Sequence, residues 1–254
     1  YISADSGKAE VAGFDVVEDA IEVKKRIGYL PEHNSLYTDM YVKEYLHFVG
    51  NLYKVPSLKE RIEETIKKVK LEVEQHKKIE ELSKGYRQRV GLAAAIIHDP
   101  EVLILDEPTT GLDPNQLAEI RSLIMKIGKE KTVLLSTHIM QEVEAMCSRV
   151  LIINKGKIIA DKATKDVKRS IVNQDIVEIE FDAEIDIDVF TAQLSSVSIE
   201  YKENNLYRVY SSSGEDIRAQ LFDWAVKNNR SILSQKVVES NLEEVFKQLT
   251  ENKA

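Results

Sequence analysis

The chain has 254 residues, 43% hydrophobic and 31% charged, the balance of a folded protein with room for one large domain or two smaller ones. Its 35 basic and 43 acidic side chains leave a net charge of −8, which argues against a dedicated duplex-binding module. A single cysteine, Cys147, excludes an internal disulfide framework, and no apolar run approaches the length of a membrane span.

Ala9–Phe14, closed by Gly13, reads as a strand or hairpin edge. Arg26–Leu30 is a short strand stopped by Pro31. Val42, Tyr45, Leu46, Val49, Leu52 and Tyr53 then recur at steps of three and four, which predicts a helix. Pro56 and Ser57 break it, and Leu58, Ile62, Ile66 and Val69 predict a second, whose Lys and Glu run reads as a solvated face. A third helix follows Ser83 and runs through Val90 to Ile97, ended by Asp99-Pro100. Val102–Leu105 is the continuous apolar run of a buried parallel strand. Asp113 and Pro114 fit an N-cap and first helical residue, with Gln116 placed for a capping box; Leu117, Ile120, Leu123, Ile124 and Ile127 form the inner stripe before Gly128. Thr132–Ser136 is expected as the next buried strand, Gln141–Met146 as a helix, and Val150–Ile153 as a strand entering the Asn154–Lys157 turn. Strands alternating with helices imply a parallel α/β core.

Composition shifts near Lys165. Beyond it Val177, Ile179 and Phe181 alternate with Glu178, Glu180 and Asp182, a half-buried strand. Ile199–Lys202 and Leu206–Tyr210 flank Asn204-Asn205 as a hairpin. Helices at about Glu215–Lys227 and Leu242–Leu249 bracket a strand at Ile232–Val238, and Asn241 with Glu244 is a second capping-box pattern. This is a small α+β appendage without a catalytic constellation.

The strongest chemical signal is Val102–Pro108, where a hydrophobic strand delivers Asp106 and Glu107 at its C-terminal end, the ligand-binding end of open α/β sheets. In phosphoryl transfer an Asp there holds Mg²⁺ and a second carboxylate orients and deprotonates water; the plain alternative is a polar turn. Leu82–Arg89 places Ser83 and Gly85 at a helix start, where free N–H groups suit a phosphate; the alternative is an ordinary serine cap. His138 and Glu32 follow two other strands of the same sheet, so they lie at the same edge, as phosphate- or water-holding groups or as solvated surface residues.

In order and spacing these segments resemble the ATP-binding cassettes (ABC ATPases). Leu82–Arg89 resembles the signature motif, Val102–Glu107 the Walker B strand with its glutamate, and Gly111-Leu112-Asp113 the D-loop. His138 resembles the switch histidine and Gly28–Glu32 the Q-loop. Lys84 stands where a second glycine is usual, Tyr86 and Glu32 where Gln is usual, variants similar to those of subunits paired with ABC-2-type membrane proteins. Gly28 through Tyr45, with Leu242–Phe246, further resembles the ATP-binding subunits associated with bacterial gliding motility.

The resemblance implies an α/β fold: a P-loop NTPase core of the ABC-cassette kind over about residues 1–165, a helical subdomain at about 34–81, and an accessory α+β domain at 166–254. It implies an ATPase powering a separate transmembrane permease from the cytoplasmic face of the cell membrane, with ATP and Mg²⁺ as cofactors and no nucleic-acid partner. Two copies would sandwich each nucleotide head to tail. Glu107 would be the general base, His138 would hold the γ-phosphate and water, and Asp106 and Glu32 would serve the metal. Ser83, Lys84 and Gly85 would grip the nucleotide in trans, and Asp113 would cross the interface. Different classes stay open: a soluble cassette acting on ribosomes or DNA, and a degenerate scaffold. No G-x-x-x-x-G-K-[ST] stretch occurs in these residues. With Tyr at position 1 and only 10 glycines, about 50 further residues carrying that loop are expected ahead of it, the size of a βαβ unit with a leading hairpin, and the chain alone is expected to be inactive.

Overall fold

The computed structural model describes residues 4–171, 176–194, 197–211, 216–238, 242–243 and 246. It divides into two compact units, residues 1–139 and 140–254.

The first unit opens with a small hairpin, β1 (Glu10–Val11) and β2 (Phe14–Asp15), whose turn residues Ala12 and Gly13 both have positive φ, as a two-residue type I′ turn requires. Helix α1 (Ala20–Arg26) leads into β3 (Ile27–Leu30). Two helices follow, α2 (Val42–Leu52) and α3 (Leu58–Lys68), then a 3₁₀ turn at Ile79–Glu81. Val42, Leu46, Ile62, Ile66 and Val69 of the expected stripes are buried, with Leu71 and Ile79 also buried, but Leu52 and Tyr53 at the end of the first stripe are 66% and 40% exposed. Helix α4 (Lys84–Ile96) starts at Ser83, whose hydroxyl accepts a hydrogen bond from the Tyr86 amide at 3.4 Å. Val90, Leu92, Ala93, Ala95 and Ile96 bury it on all sides.

Strands β3, β4 (Val102–Asp106) and β5 (Thr132–Ser136) form a parallel sheet in that order, with Leu30 opposite Leu105 and Asp106 opposite Ser136. Between β4 and β5 runs α5 (Pro114–Ile127), capped by the Asp113 carboxylate, which accepts from the Asn115 and Gln116 amides at 3.0 Å each. The cap is as expected, but the capping box is not: the Gln116 amide group lies against Gly85 instead of reaching back to the Asp113 backbone. β5 is also less buried than its sequence suggests, with Leu134 54% exposed, because β4 is its one sheet partner among the described residues.

The second unit begins with α6 (Met140–Met146). β6 (Arg149–Asn154) is the strand expected to enter the Asn154–Lys157 turn. It pairs antiparallel with β7 (Lys157–Ala163) through a turn in which Lys155 and Gly156 both have positive φ. Helix α7 spans Thr164–Ile171. The remaining strands, β8 (Ile176–Phe181), β9 (Val197–Glu203), β10 (Leu206–Ser211) and β11 (Ile232–Val238), form an antiparallel sheet in the order β11-β8-β10-β9. With α8 (Ile187–Gln193) after β8 and α9 (Arg218–Lys227) after β10, the chain order is βαββαβ, a ferredoxin-like arrangement. Val177, Ile179, Phe181, Tyr207 and Val209 line one sheet face and pack with Phe190 of α8 and Leu221 and Trp224 of α9. Glu178 alternates to the other face as expected, yet it is buried, held by Arg208 at 2.9 Å and Lys236 at 2.7 Å. Most of the helix expected at Leu242–Leu249 and the Asn241/Glu244 capping box lies outside the described residues; Leu242 itself is buried and its amide donates to Glu144 at 2.7 Å.

Candidate active site at the sheet edge

Parallel strands end on the same side, so the residues after β3, β4 and β5 meet at one edge of the sheet. They are Pro31-Glu32, Asp106-Glu107 and Ser136-Thr137-His138. At Asp106 the chain is still in the strand, and its carboxylate accepts a hydrogen bond from the Ser136 hydroxyl directly across the register. At Glu107 the backbone turns to φ 46, a left-handed conformation rare outside glycine, and the second carboxylate points elsewhere. Its amide donates to the Ser136 carbonyl at 3.0 Å.

The Glu107 carboxylate is largely enclosed by donors. Oε1 accepts from the His138 amide at 2.9 Å and sits 2.7 Å from His138 Nδ1, while Oε2 accepts from Thr110 Oγ1 at 3.1 Å and Thr137 Oγ1 at 3.5 Å. A carboxylate only accepts, so in this contact the His138 Nδ1 is the donor. The sequence placed Asp106, Glu107 and His138 at a shared edge; the structure brings Glu107 and His138 into direct contact. It also adds Ser136, Thr110 and Thr137, which carried no motif of their own. Ser136 was findable from register alone, as the residue opposite Asp106.

Glu32 lies at the same edge by topology, in an exposed loop where its nearest ionic neighbour is His33 Nδ1 at 4.0 Å. Ser83, Lys84 and Gly85 form the first turn of α4, and this turn abuts the segment after β4. A Cβ on Gly85 would fall 2.2 Å from Gln116 Oε1, and one on Gly111 would fall 2.1 Å from Lys84 Nζ. Gln88 Nε2 donates to the Pro108 carbonyl at 3.0 Å. The signature-like turn and the Gly111–Asp113 loop are therefore packed together within one chain. Asp113 spends its carboxylate on the α5 cap and remains exposed.

For Mg²⁺, the donors at this edge are hard oxygens, the Asp106 carboxylate with the Ser136 hydroxyl beside it. Such a set suits a cation that takes one or two protein carboxylates and completes its shell from phosphate and water. Elsewhere in this unit a cleft of about 560 Å³ opens beside β3, α2 and α4, lined by Tyr29, Pro31, Asn34, Tyr45, Tyr53 and His98. Tyr53 and His98 stack at 3.8 Å, His98 Nε2 meets the Ile27 carbonyl at 3.0 Å, and burial holds the imidazole below its ordinary pKa. Tyr37 and Tyr41 near this cleft are exposed rather than part of the subdomain core.

Comparison with known proteins places the chain in one family. The ABC transporter family matches residues 2–110. The ABC transporter ATP-binding protein NatA of Bacillus subtilis is 38% identical over 179 residues, 69% of this chain and 73% of that protein. The bacitracin transport ATP-binding protein BcrA of Bacillus licheniformis is 31% identical over 251 residues, 98% of this chain and 80% of that protein. An uncharacterized ABC transporter ATP-binding protein of Methanocaldococcus jannaschii is 40% identical over 152 residues, and the chain spans 58% of its length. Among solved structures, cbiO1 of Clostridium perfringens, described as part of the ABC transporter complex cbiONQ, superposes with a TM-score of 0.57 at 27% identity, covering 66% of this chain and 72% of that one.

Proposed function

Because the chain belongs to the ATP-binding subunits of ABC transporters, we propose that it hydrolyses ATP at the C-terminal edge of β3, β4 and β5 to drive a separate membrane permease. The observation that carries this reading is the contact between Glu107, at the end of β4, and His138, beyond β5. Glu107 accepts the proton of the attacking water. His138 holds Glu107 through Nδ1 and turns Nε2 toward the terminal phosphate. Thr110 and Thr137 keep the carboxylate in one orientation between turnovers. Asp106, fixed by Ser136, would hold Mg²⁺ with Glu32 as a further ligand, and the bound ion would neutralise phosphate charge.

In this reading two copies act head to tail. Ser83, Lys84 and Gly85 of one grip the nucleotide of the other through the open N–H groups of α4, and Asp113 crosses between the sites. The loop that cradles the phosphates from the opposite side is not among the 254 residues. The cassette is taken as residues 1–165, with 166–254 as the accessory domain. The cleft beside Tyr45 and the exposed Tyr37 and Tyr41 support the helical subdomain as the face that meets the permease, since interfaces are enriched in aromatic residues. The protein then works on the cytoplasmic face of the membrane.

Glu107→Gln in the natural full-length protein tests the assignment. MgATP binding is retained and hydrolysis falls by about 10²-fold or more; unchanged turnover removes Glu107 from the role. A permease complex with no ATPase activity at all favours the scaffold reading. A part in gliding motility rests on the resemblance of residues 28–45 and 242–246, while relatives carry names such as bacitracin transport and Nod factor export. Normal colony spreading in a strain carrying Glu107→Gln rejects it.

A further inference from the structure

The Glu107 carboxylate is held by its side-chain partners, but where it starts from is set by the backbone that follows β4. Glu107 has a φ of 46, and the next residue is Pro108, which disfavours helical conformations in the residue before it. A left-handed residue ahead of a proline needs support from its surroundings. Two turns carry the chain onward. The Thr110 amide donates to the Glu107 carbonyl at 3.3 Å, and the Leu112 amide donates to the Thr109 carbonyl at 3.3 Å.

Pro108 takes the second position of the first turn, where its fixed φ is favoured. Its carbonyl belongs to the central peptide of that turn and is used by neither turn bond. Pro108 is buried, and a buried carbonyl left without a donor is costly. The donor comes from another element: Gln88 Nε2, in the second turn of α4, at 3.0 Å. This bond fixes the plane of the central peptide. It thereby sets the direction of Thr110, whose hydroxyl meets Glu107 Oε2 at 3.1 Å.

Gln88 is well placed for this. Helix α4 is anchored by buried Val90, Leu92, Ala93 and Ile96. Lys84, one turn earlier on the same stripe, reaches over Gly111, and Gln116 at the far end of the loop lies against Gly85. The loop after β4 is thus laid along the first two turns of a rigid helix, and the Gln88 bond is made one residue past Glu107.

We propose that Gln88 is a positioning residue for ATP hydrolysis, holding the Pro108 carbonyl so that the turn after β4 aims the Glu107 carboxylate at the attacking water. The proposal rests on the ATPase reading, with Glu107 as the proton acceptor. Gln88 touches no reacting atom in it and acts through the main chain.

Steady-state kinetics of the natural full-length protein test it. Gln88→Met removes the donor while keeping an unbranched, helix-favouring side chain. It lowers kcat about 10-fold with KM for MgATP within about two-fold, the pattern of an interaction felt only in the transition state. Gln88→Lys, which keeps a donor at this position, regains most of the rate. In a Glu107→Gln background Gln88→Met costs nothing further, because its effect passes through that carboxylate. A merely structural defect would multiply with Glu107→Gln and would persist in Gln88→Lys. Unchanged kcat in Gln88→Met, beside a Glu107→Gln protein that has lost turnover, overturns the proposal and leaves the ATPase reading standing. A further loss of about 10-fold in the double variant overturns it as well. Full turnover by Glu107→Gln removes the reading itself and the proposal with it.

Discussion

Replacing Gly28 by alanine tests how closely β3 is pressed against α4, and therefore how the Glu32 and Asp106 ends are held at one level. An added Cβ would lie 2.1 Å from the Ala95 carbonyl oxygen, 2.9 Å from Pro100 Cγ and 3.0 Å from the Ala95 carbonyl carbon. Ordinary contact begins at 3.4 Å, so strand and helix must part by about 1.3 Å. The obstacle is backbone, which no rotamer change relieves, and α4 cannot retreat because Val90, Leu92, Ala93 and Ile96 are buried around it. Overpacking of this kind costs about 1–3 kcal/mol, and a backbone obstacle puts Gly28→Ala near the upper value. At about 2–4 °C per kcal/mol for a chain of this size, the melting temperature drops by about 6–12 °C. The assay is far-UV circular dichroism against temperature. Gly156→Ala is the comparison: its φ of +74 makes alanine costly, yet no atom lies within 4 Å, so its cost is conformational alone, about 1 kcal/mol. A Gly28→Ala protein melting within a degree or so of the parent, or no lower than Gly156→Ala, refutes the packing argument.

Two further perturbations read other parts of the first unit. Arg89 is buried and is held by the Val69 carbonyl at 2.9 Å and by Glu119, which also binds Lys70 at 3.2 Å and is kept below the usual carboxylate range first by Arg89. Glu119→Ala leaves the guanidinium with the Val69 carbonyl and the Tyr86 ring, and the urea midpoint should fall by the equivalent of about 1–2 kcal/mol, since the carboxylate side is half in water; an unchanged midpoint rejects the clamp between α4 and α5. His98 titrates below its ordinary 6.5 because burial penalises the imidazolium, so the unfolded chain binds the proton more readily than the folded one. Its contribution is then fully present above pH 6.5 and is lost as pH falls from there through the lower folded value. Stability curves from pH 8 to 5 should be flatter for His98→Gln than for the parent, and parallel curves would show that His98 does not set the slope.

Much of the fold was legible because its signals are local. Ser83 and Asp113 cap their helices by side-chain bonds spanning two or three residues, and Asn204-Asn205 supplies a turn with positive φ at both positions. Helices α1 and α8 were not foreseen: each has seven residues and only one buried position, Val23 or Phe190, too few for a periodic pattern. The β6 strand and its turn were legible, but its pairing with β7 was not named, because an apolar run does not say which neighbour it will pair with. At the site, the motif order located the edge but not the contacts. Glu107 and His138 are 31 residues apart, and the hydroxyls of Thr110, Thr137 and Ser136 matter only once parallel register sets them beside a carboxylate.

The same register explains how two adjacent carboxylates acquire different tasks. Successive residues of a strand point to opposite sides, so an acidic pair inside β4 would send one side chain away from the site. The strand ends between them instead. Asp106 keeps the extended backbone and meets a single hydroxyl, while Glu107 swings into the left-handed region and meets three side chains and an amide. A glycine at position 107 would occupy that conformation without the Cβ penalty, about 1 kcal/mol lower. Keeping a glutamate there stores strain at the point where the chain crosses from strand to loop, and the surrounding hydrogen bonds hold it in place. Two chemically similar groups thus reach different surroundings through one backbone dihedral: one meets a single hydroxyl and the other is locked beside an imidazole.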